Sequence, residues 1–492
     1  MTITDPVTIL SIILCVFVAI LFYGRRRNTY HNFPPGPTPL PIIGNIHILS
    51  MKRPYETLHQ LSEKYGSVYS LQVGEEKMVI LTGYETVKDA LVNHADEFSA
   101  RTVVPIFHDI TKGHGIIFAN TESWRVMRRF TLSTLRDFGM GSQTIENKII
   151  EESGCLVEKI KSYKGNPVDN KLFINAAVAN IIVSILLNHR FDYEDPTLLN
   201  LLKMINEINS LLGSPMAMMY NAFPSVMSWF PGVQKKAVKI MNEFHKFVKE
   251  TFTAQKKELD VNVQRNLIDT FLVKQQEEKR NHELFFTNEN LIALVFDLFA
   301  AAVESTSTTL RWSLLLMMKY PEIQRNVQNE IDKVIGSSEP LAAHRKHMPY
   351  TDAVIHEIQR FGNVIPANLP HATTLDVTFR GYFIPKGTQV IPLLTSVLYD
   401  KYYFKKPKEF YPEHFLDASG NFVKNEAFMP FSAGKRSCAG ENLAKMELFI
   451  FFTKMLQNFT FQSPPGATLD LTPADTFTCS PMSYMMCAVP RT

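Results

Sequence analysis

The chain has 492 residues, 45% of them hydrophobic, which excludes bulk disorder and calls for a sizeable core. Its 51 basic and 48 acidic residues leave a formal charge of +3, too small an excess to mark a nucleic-acid-binding protein. Five scattered cysteines, Cys15, Cys155, Cys438, Cys479 and Cys487, argue against a disulfide framework and favour a reducing, cytosol-facing location.

Val7 to Tyr23 is an apolar run without a charge. It is short for a membrane-spanning helix but long enough, since roughly 17 residues is the lower limit. Arg25, Arg26 and Arg27 follow it, and Asp5 is the only charged side chain before it. The arginines stay cytosolic by the positive-inside rule, with the N-terminus in the lumen. A cleaved signal would have a basic start and small residues at its end, whereas here the end is Phe22-Tyr23. Residues 1–28 therefore read as an uncleaved membrane anchor with a basic stop. Residues 29–41 contain Pro34-Pro35-Gly36-Pro37-Thr38-Pro39, a stiff, extended linker. Residues 42–492 carry no repeat, low-complexity block or second linker and read as one domain.

That domain reads as mainly α with a small β region. Ser67–Val73 and Met78–Leu81 form a hairpin pattern around Gly74-Glu75-Glu76. Trp124 and Arg128 stand at i,i+4 on one helix face. Helical spacing covers 145–162, 197–212, 233–257, 288–319 and 439–457. Between the second and third of these lies a charge-free stretch rich in methionine and aromatics, from Met216 to Phe230, with Pro215, Pro224 and Pro231. Core packing and a flexible apolar lid that touches membrane both fit it. The segment 288–319 is apolar on most faces and should run through the core. Glu357 and Arg360 form E-x-x-R on one helix face. The neighbouring His356 does not make a zinc helix, because H-E-x-x-H would need histidine at 360. Val377–Phe379, Tyr382–Ile384 and Gln389–Leu393 suggest a second strand group, and Phe477–Val489 a closing hairpin.

Residues 430–441 read PFSAGKRSCAGE and match F-x-x-G-x-R-x-C-x-G through Phe431, Gly434, Arg436, Cys438 and Gly440. This loop resembles the fingerprint of the cytochromes P450, and the chain is most like the vertebrate microsomal family 2 enzymes that oxidise drugs, fatty acids and steroids. The resemblance extends over residues 30–492. It implies a cytochrome P450 fold preceded by one N-terminal transmembrane helix. It also implies haem b (iron protoporphyrin IX) with Cys438 as axial ligand of the iron. The spacing makes physical sense. A thiolate ligand must be deprotonated and kept dry. Gly434 and Gly440 permit a tight turn and close approach of backbone to the porphyrin. Backbone N–H groups aimed at sulfur would stabilise the thiolate. Phe431 would shield the sulfur side of the ring.

The resemblance places further residues. Arg101, Trp124, Arg128, His371 and Arg436 would hold the two haem carboxylates, which need cationic or hydrogen-bonding partners in an apolar site. Glu304 and Ser305 would relay the proton that oxygen activation requires. Where the family usually has A/G-G-x-D/E-T-T, this chain has Ala302 for glycine and Ser305 for threonine. Weaker coupling of NADPH use to product is the expectation from those two changes. Glu357 and Arg360 would lock their helix to a later loop carrying His414, where the wider family often has arginine. His414 would bring a pH-sensitive charge to Glu357. Val104, His114, Ala301, Ile365 and Phe477 are the expected substrate contacts, in a mainly apolar set that suits lipophilic small molecules.

No G-x-G-x-x-G on a βαβ unit and no Walker sequence is present, so electrons come from a partner. Arg125, Arg129, Arg136 and Lys435 would face an acidic flavoprotein, NADPH-cytochrome P450 reductase, with cytochrome b5 as a second donor. Related chains often continue this patch with basic residues where Ser142-Gln143 stand here. The implied location is the endoplasmic reticulum membrane, single-pass, with the catalytic domain cytosolic. Two other readings stay open from sequence: a reductase-independent isomerase or dehydratase of the same fold, and a non-enzymatic haem-binding membrane protein.

Overall fold

Proline at the first turn opens a series of helices, where its missing N–H costs nothing and its fixed φ suits the helix. The helices Pro54–Tyr65, Pro105–Thr111, Pro196–Leu212, Pro215–Ala222, Pro224–Met227, Pro321–Val334 and Pro349–Gly362 all begin in this way. Side-chain caps add to it: Asp195 accepts from Thr197 N–H, Ser214 from Ala217 N–H and Thr287 from Asn290 N–H. The computed structural model describes residues 8–12, 14–16, 31–138, 143–281 and 285–491. Of the apolar run at the start, 8–12 and 14–16 are helical, and Ile9, Leu10, Ile12, Leu14 and Val16 are exposed. The rest of that run, Arg25, Arg26 and Arg27 lie outside the described residues, as does Ser142.

Two compact units emerge, residues 1–102 with 369–393, and residues 103–368 with 394–492. The smaller unit holds a five-stranded sheet, β1 (Val68–Val73), β2 (Glu76–Leu81), β3 (Ala100–Arg101), β5 (His371–Ala372) and β8 (Gln389–Pro392), in the order β1-β2-β8-β5-β3. The expected hairpin at 67–81 is present, with Val68 opposite Leu81 and Val73 opposite Glu76. The expected second strand group divides. Among the described residues β6 (Val377–Phe379) and β7 (Tyr382–Ile384) pair only with each other, while β8 runs parallel to β2 and antiparallel to β5.

The larger unit is helical. Its axis is the 32-residue helix Asn288–Lys319, whose residues from Leu310 to Met318 are all buried. Among the described residues this is the one helix long and apolar enough to cross a membrane, but most of it is inside the protein. It packs against Lys171–Leu187, which is apolar on every face, and against Glu441–Asn458 and Pro349–Gly362. Helices Gln143–Ser162, Val233–Lys257 and Glu441–Asn458 agree with the sequence expectation to within a few residues. The closing hairpin does not form within 477–489. Instead β10 (Met485–Pro490) pairs antiparallel with β9 (Phe459–Gln462) and β4 (Val168–Asp169). In the region read as a lid, Met216, Val226, Trp229 and Phe230 are exposed, whereas Ala217 and Tyr220 are buried.

Candidate active site

The loop around Cys438 is shaped by its own residues. Gly434 has φ +72°, a left-handed conformation that disfavours any side chain. It opens the short turn Gly434–Arg436, after which Cys438 N–H returns to Phe431 O at 3.0 Å. Gly440 is different. Its φ is −95°, and a Cβ there would meet Cys438 Sγ at 4.0 Å, an ordinary contact. The backbone conformation therefore requires glycine at 434 and not at 440. Lys445 Nζ lies 5.6 Å from the Phe431 ring centroid.

Cys438 retains exposed surface. Burial nevertheless pushes its thiol upward, opposed by the Gly440 N–H and the Arg128 guanidinium. A metal would complete the deprotonation, since a coordinating thiol gives up its proton outright. Arg128 itself is depressed by burial, with the Cys438 sulfur acting in the other direction. One Arg128 Nη donates to Ser437 O at 2.7 Å.

Trp124, Arg128 and Arg436 come together in the larger unit. The Arg436 guanidinium stacks 3.7 Å from the Trp124 ring centroid and donates to Ala119 O at 2.9 Å and Asn120 Oδ1 at 3.1 Å. Arg128 lies 6.0 Å from the same ring. Trp124 is buried, and its indole N–H has no acceptor among the described residues. A buried N–H without an acceptor costs about 1–3 kcal/mol, so it marks a place for an incoming oxygen. A porphyrin carries two carboxylates, and this cationic, donor-bearing set fits one. In the smaller unit Arg101 and His371 sit directly opposite each other on β3 and β5. Arg101 donates to Leu369 O at 3.0 Å, and His371 Nδ1 bonds Phe98 O at 2.7 Å.

On the long helix, Ser305 Oγ donates to Ala301 O at 2.7 Å. Glu304 is held at a single oxygen: Oε1 accepts from Asn209 Nδ2 at 2.7 Å, Thr478 Oγ1 at 2.7 Å and Thr308 Oγ1 at 3.4 Å. Neither Asn209 nor Thr478 stands out in the sequence, because both lie far from Glu304 along the chain and belong to no local motif. Two further acids are deeply buried. Asp297 accepts from Ile116 N–H at 2.7 Å and Ile117 N–H at 3.0 Å, and burial pushes it up to about 7. Glu447, whose hydrogen-bonding partner is Thr306, is pushed up to about 8 by burial.

Among the expected substrate contacts, Val104, His114, Ile365 and Phe477 are half-buried and Ala301 is exposed. Phe477 meets Phe107 edge-on at 5.8 Å, and Phe107 stacks on Phe118 at 4.1 Å. Phe118, not among the expected contacts, is thus a member of this aromatic group. Of the basic patch, Arg125, Arg129, Arg136 and Lys435 are exposed, and Arg125 is paired with Glu122 at 3.1 Å.

The E-x-x-R pair is fully buried and bidentate, with Arg360 donating to both Glu357 oxygens at 2.7 and 2.8 Å. Tyr411 N–H and His414 Nδ1 also reach Glu357, at 2.8 and 3.1 Å. His414 Nε2 also accepts the Lys406 N–H at 3.1 Å.

The match to a family model agrees with this geometry: residues 34–488 fit the cytochrome P450 model. The chain belongs to the cytochrome P450 family and is a P450 monooxygenase, which implies a haem cofactor, redox partners and a lipophilic substrate. It is 48% identical to Cytochrome P450 2C5 of Oryctolagus cuniculus, over 99% of this chain and 100% of that one. Against Cytochrome P450 2K1 of Oncorhynchus mykiss the identity is 47%, over 99% and 98%. Against Cytochrome P450 2B19 of Mus musculus it is 45%, over 93% of each.

Proposed function

We propose that this chain inserts one oxygen atom from O2 into a lipophilic small molecule, a xenobiotic, fatty acid or steroid, with electrons from NADPH-cytochrome P450 reductase and cytochrome b5. The observation that carries the reading is the buried Trp124 N–H beside Arg436 and Arg128, in the same unit as Cys438. Haem b, when bound, would supply the iron chemistry that activates dioxygen. Cys438 would hold it through its sulfur, with the Gly440 N–H and Arg128 favouring the thiolate form. Trp124, Arg128 and Arg436 would hold a propionate. Phe431 would cover the sulfur side.

Glu304 and Ser305 hold and pass a proton in this reading, with Glu304 fixed by Oε1. Ser305 lacks the methyl that narrows threonine's rotamers. Together with Ala302 it weakens coupling, so that Ser305→Thr lowers the peroxide released per NADPH. Phe107, Phe118 and Phe477 give an apolar wall, and Val104, His114, Ala301 and Ile365 are the other substrate contacts of this reading. The exposed Arg125, Arg129, Arg136 and Lys435 suit an acidic electron donor. Residues 1–28 anchor the chain in the endoplasmic reticulum membrane as a single pass, 29–41 link, and 42–492 catalyse on the cytosolic side.

The test is turnover of a lipophile panel under labelled dioxygen with NADPH and reductase. One labelled oxygen per product is the expected result. Label-free product, or turnover with organic peroxide alone and none with NADPH, would overturn it.

A further inference from the structure

Glu304 joins three separate parts of the larger unit through one oxygen. Asn209 is three residues from the end of helix Pro196–Leu212, just before the lid region. Thr478 follows Phe477 in the C-terminal loop. Both donate to Glu304 Oε1 at 2.7 Å, and Asn209 Nδ2 also reaches Thr478 Oγ1 at 3.3 Å. The backbone repeats the tie, because Phe477 N–H donates to Asn209 O at 3.4 Å. Gly213 keeps the two segments close: a Cβ there would meet Phe477 N and Thr476 C at 2.4 Å. Glu304 Oε2 has no partner among the described residues.

Each donor to Oε1 holds the side chain in place. Loss of a donor frees the side chain to move. Asn209 and Thr478 are neutral, so they do this without fixing a counter-charge beside the acid. Phe477 and the lid region adjoin the segments that carry these donors.

We infer that Asn209 and Thr478 are positioning residues for Glu304, through which the lid helix and the C-terminal loop set whether Glu304 can pass a proton. This rests on the proton-relay role proposed above for Glu304. Energetic coupling of this kind is reciprocal. Removing the carboxylate should loosen both segments, and removing either donor should change how the acid behaves.

The experiment uses the full-length haem-loaded protein and has two readouts. Amide hydrogen exchange is measured over 200–213 and 474–481 in wild type and Glu304→Gln. A hydrogen bond to a charged acceptor sets the scale, so exchange there should quicken about tenfold in the variant. Unchanged exchange would overturn the tie between Glu304 and these segments. The second readout is NADPH consumption without added substrate, with reductase, in Asn209→Leu, Thr478→Val and Thr478→Ser. The first two should raise it about tenfold, on the same scale, and Thr478→Ser, which keeps the hydroxyl, should stay near wild type. Equal rates in all four proteins, or Thr478→Ser behaving as Thr478→Val, would overturn the positioning role. Failure of the underlying monooxygenase reading looks different: wild type then consumes no NADPH with reductase, while the exchange result stands alone.

Discussion

Arg360→Met tests what holds the helix Pro349–Gly362 to the loop 398–414. The guanidinium and Glu357 are both fully buried. Arg360 donates to both carboxylate oxygens and also to Leu398 O at 3.0 Å, Pro407 O at 2.7 Å and Glu409 O at 2.8 Å. Its charge further lies over the rings of Tyr399 and Phe404, at 5.3 and 5.2 Å. Methionine fills much of the volume and supplies none of these bonds. Breaking a buried pair by removing one partner costs about 3–5 kcal/mol, because the other charge stays buried. Three carbonyls lose donors as well, each worth about 1 kcal/mol. Together these come to about 6–8 kcal/mol, a large share of a typical total stability of about 5–15 kcal/mol, so the variant should unfold at much lower denaturant than wild type. Arg360→Lys should recover part of the loss, since an ammonium cannot reproduce the planar fork. Denaturant unfolding followed by circular dichroism is the assay. A stable Arg360→Met protein within about 1 kcal/mol of wild type would refute the reasoning, since a loss that small is below the cost of a single broken buried pair.

Four further predictions follow from named contacts. Asp297 and Glu447 are both raised in the folded state, so their contribution is fully present below the ordinary carboxyl range and is lost as pH rises through about 7 and about 8. Thermal stability should fall between pH 6 and pH 9, and Glu447→Gln should flatten the upper part of that decline; an unchanged slope would count against it. Trp124→Phe keeps the ring beside Arg436 but removes the N–H, and should speed haem loss about tenfold, measured by transfer to an excess of apomyoglobin. Gly434→Ala places a side chain at φ +72° and should cost about 1–2 kcal/mol, whereas Gly440→Ala should leave unfolding near wild type. Arg125→Ala with Arg129→Ala should weaken reductase binding and flatten its salt dependence; an unchanged titration would remove those two residues from the donor surface.

Local spacing made the cysteine loop, the E-x-x-R pair and the W-x-x-x-R face legible, since each motif is complete within a turn or two of backbone. The hairpin at 67–81 and the buried helix 288–319 were legible for the same reason. Long-range partners were not. β8 looks like the next strand after β7, yet it pairs with β2, more than 300 residues earlier. The C-terminal strand β10 finds its partners in β9 and β4 rather than within its own tail. His414 likewise takes a partner that its own turn does not announce, the Lys406 N–H at its Nε2. Asn209 and Thr478 carry no signature at all, because what gives them meaning is their shared acceptor on Glu304.

The central claim is that Cys438 ligates a haem iron. The reduced, carbon monoxide-bound difference spectrum of the purified protein tests it most directly, with Cys438→His beside wild type. Wild type should show the red-shifted Soret band of thiolate ligation. Cys438→His should bind haem but give the band of an imidazole-ligated iron. A thiolate band that survives in Cys438→His, or no haem band in folded wild type, would contradict the account.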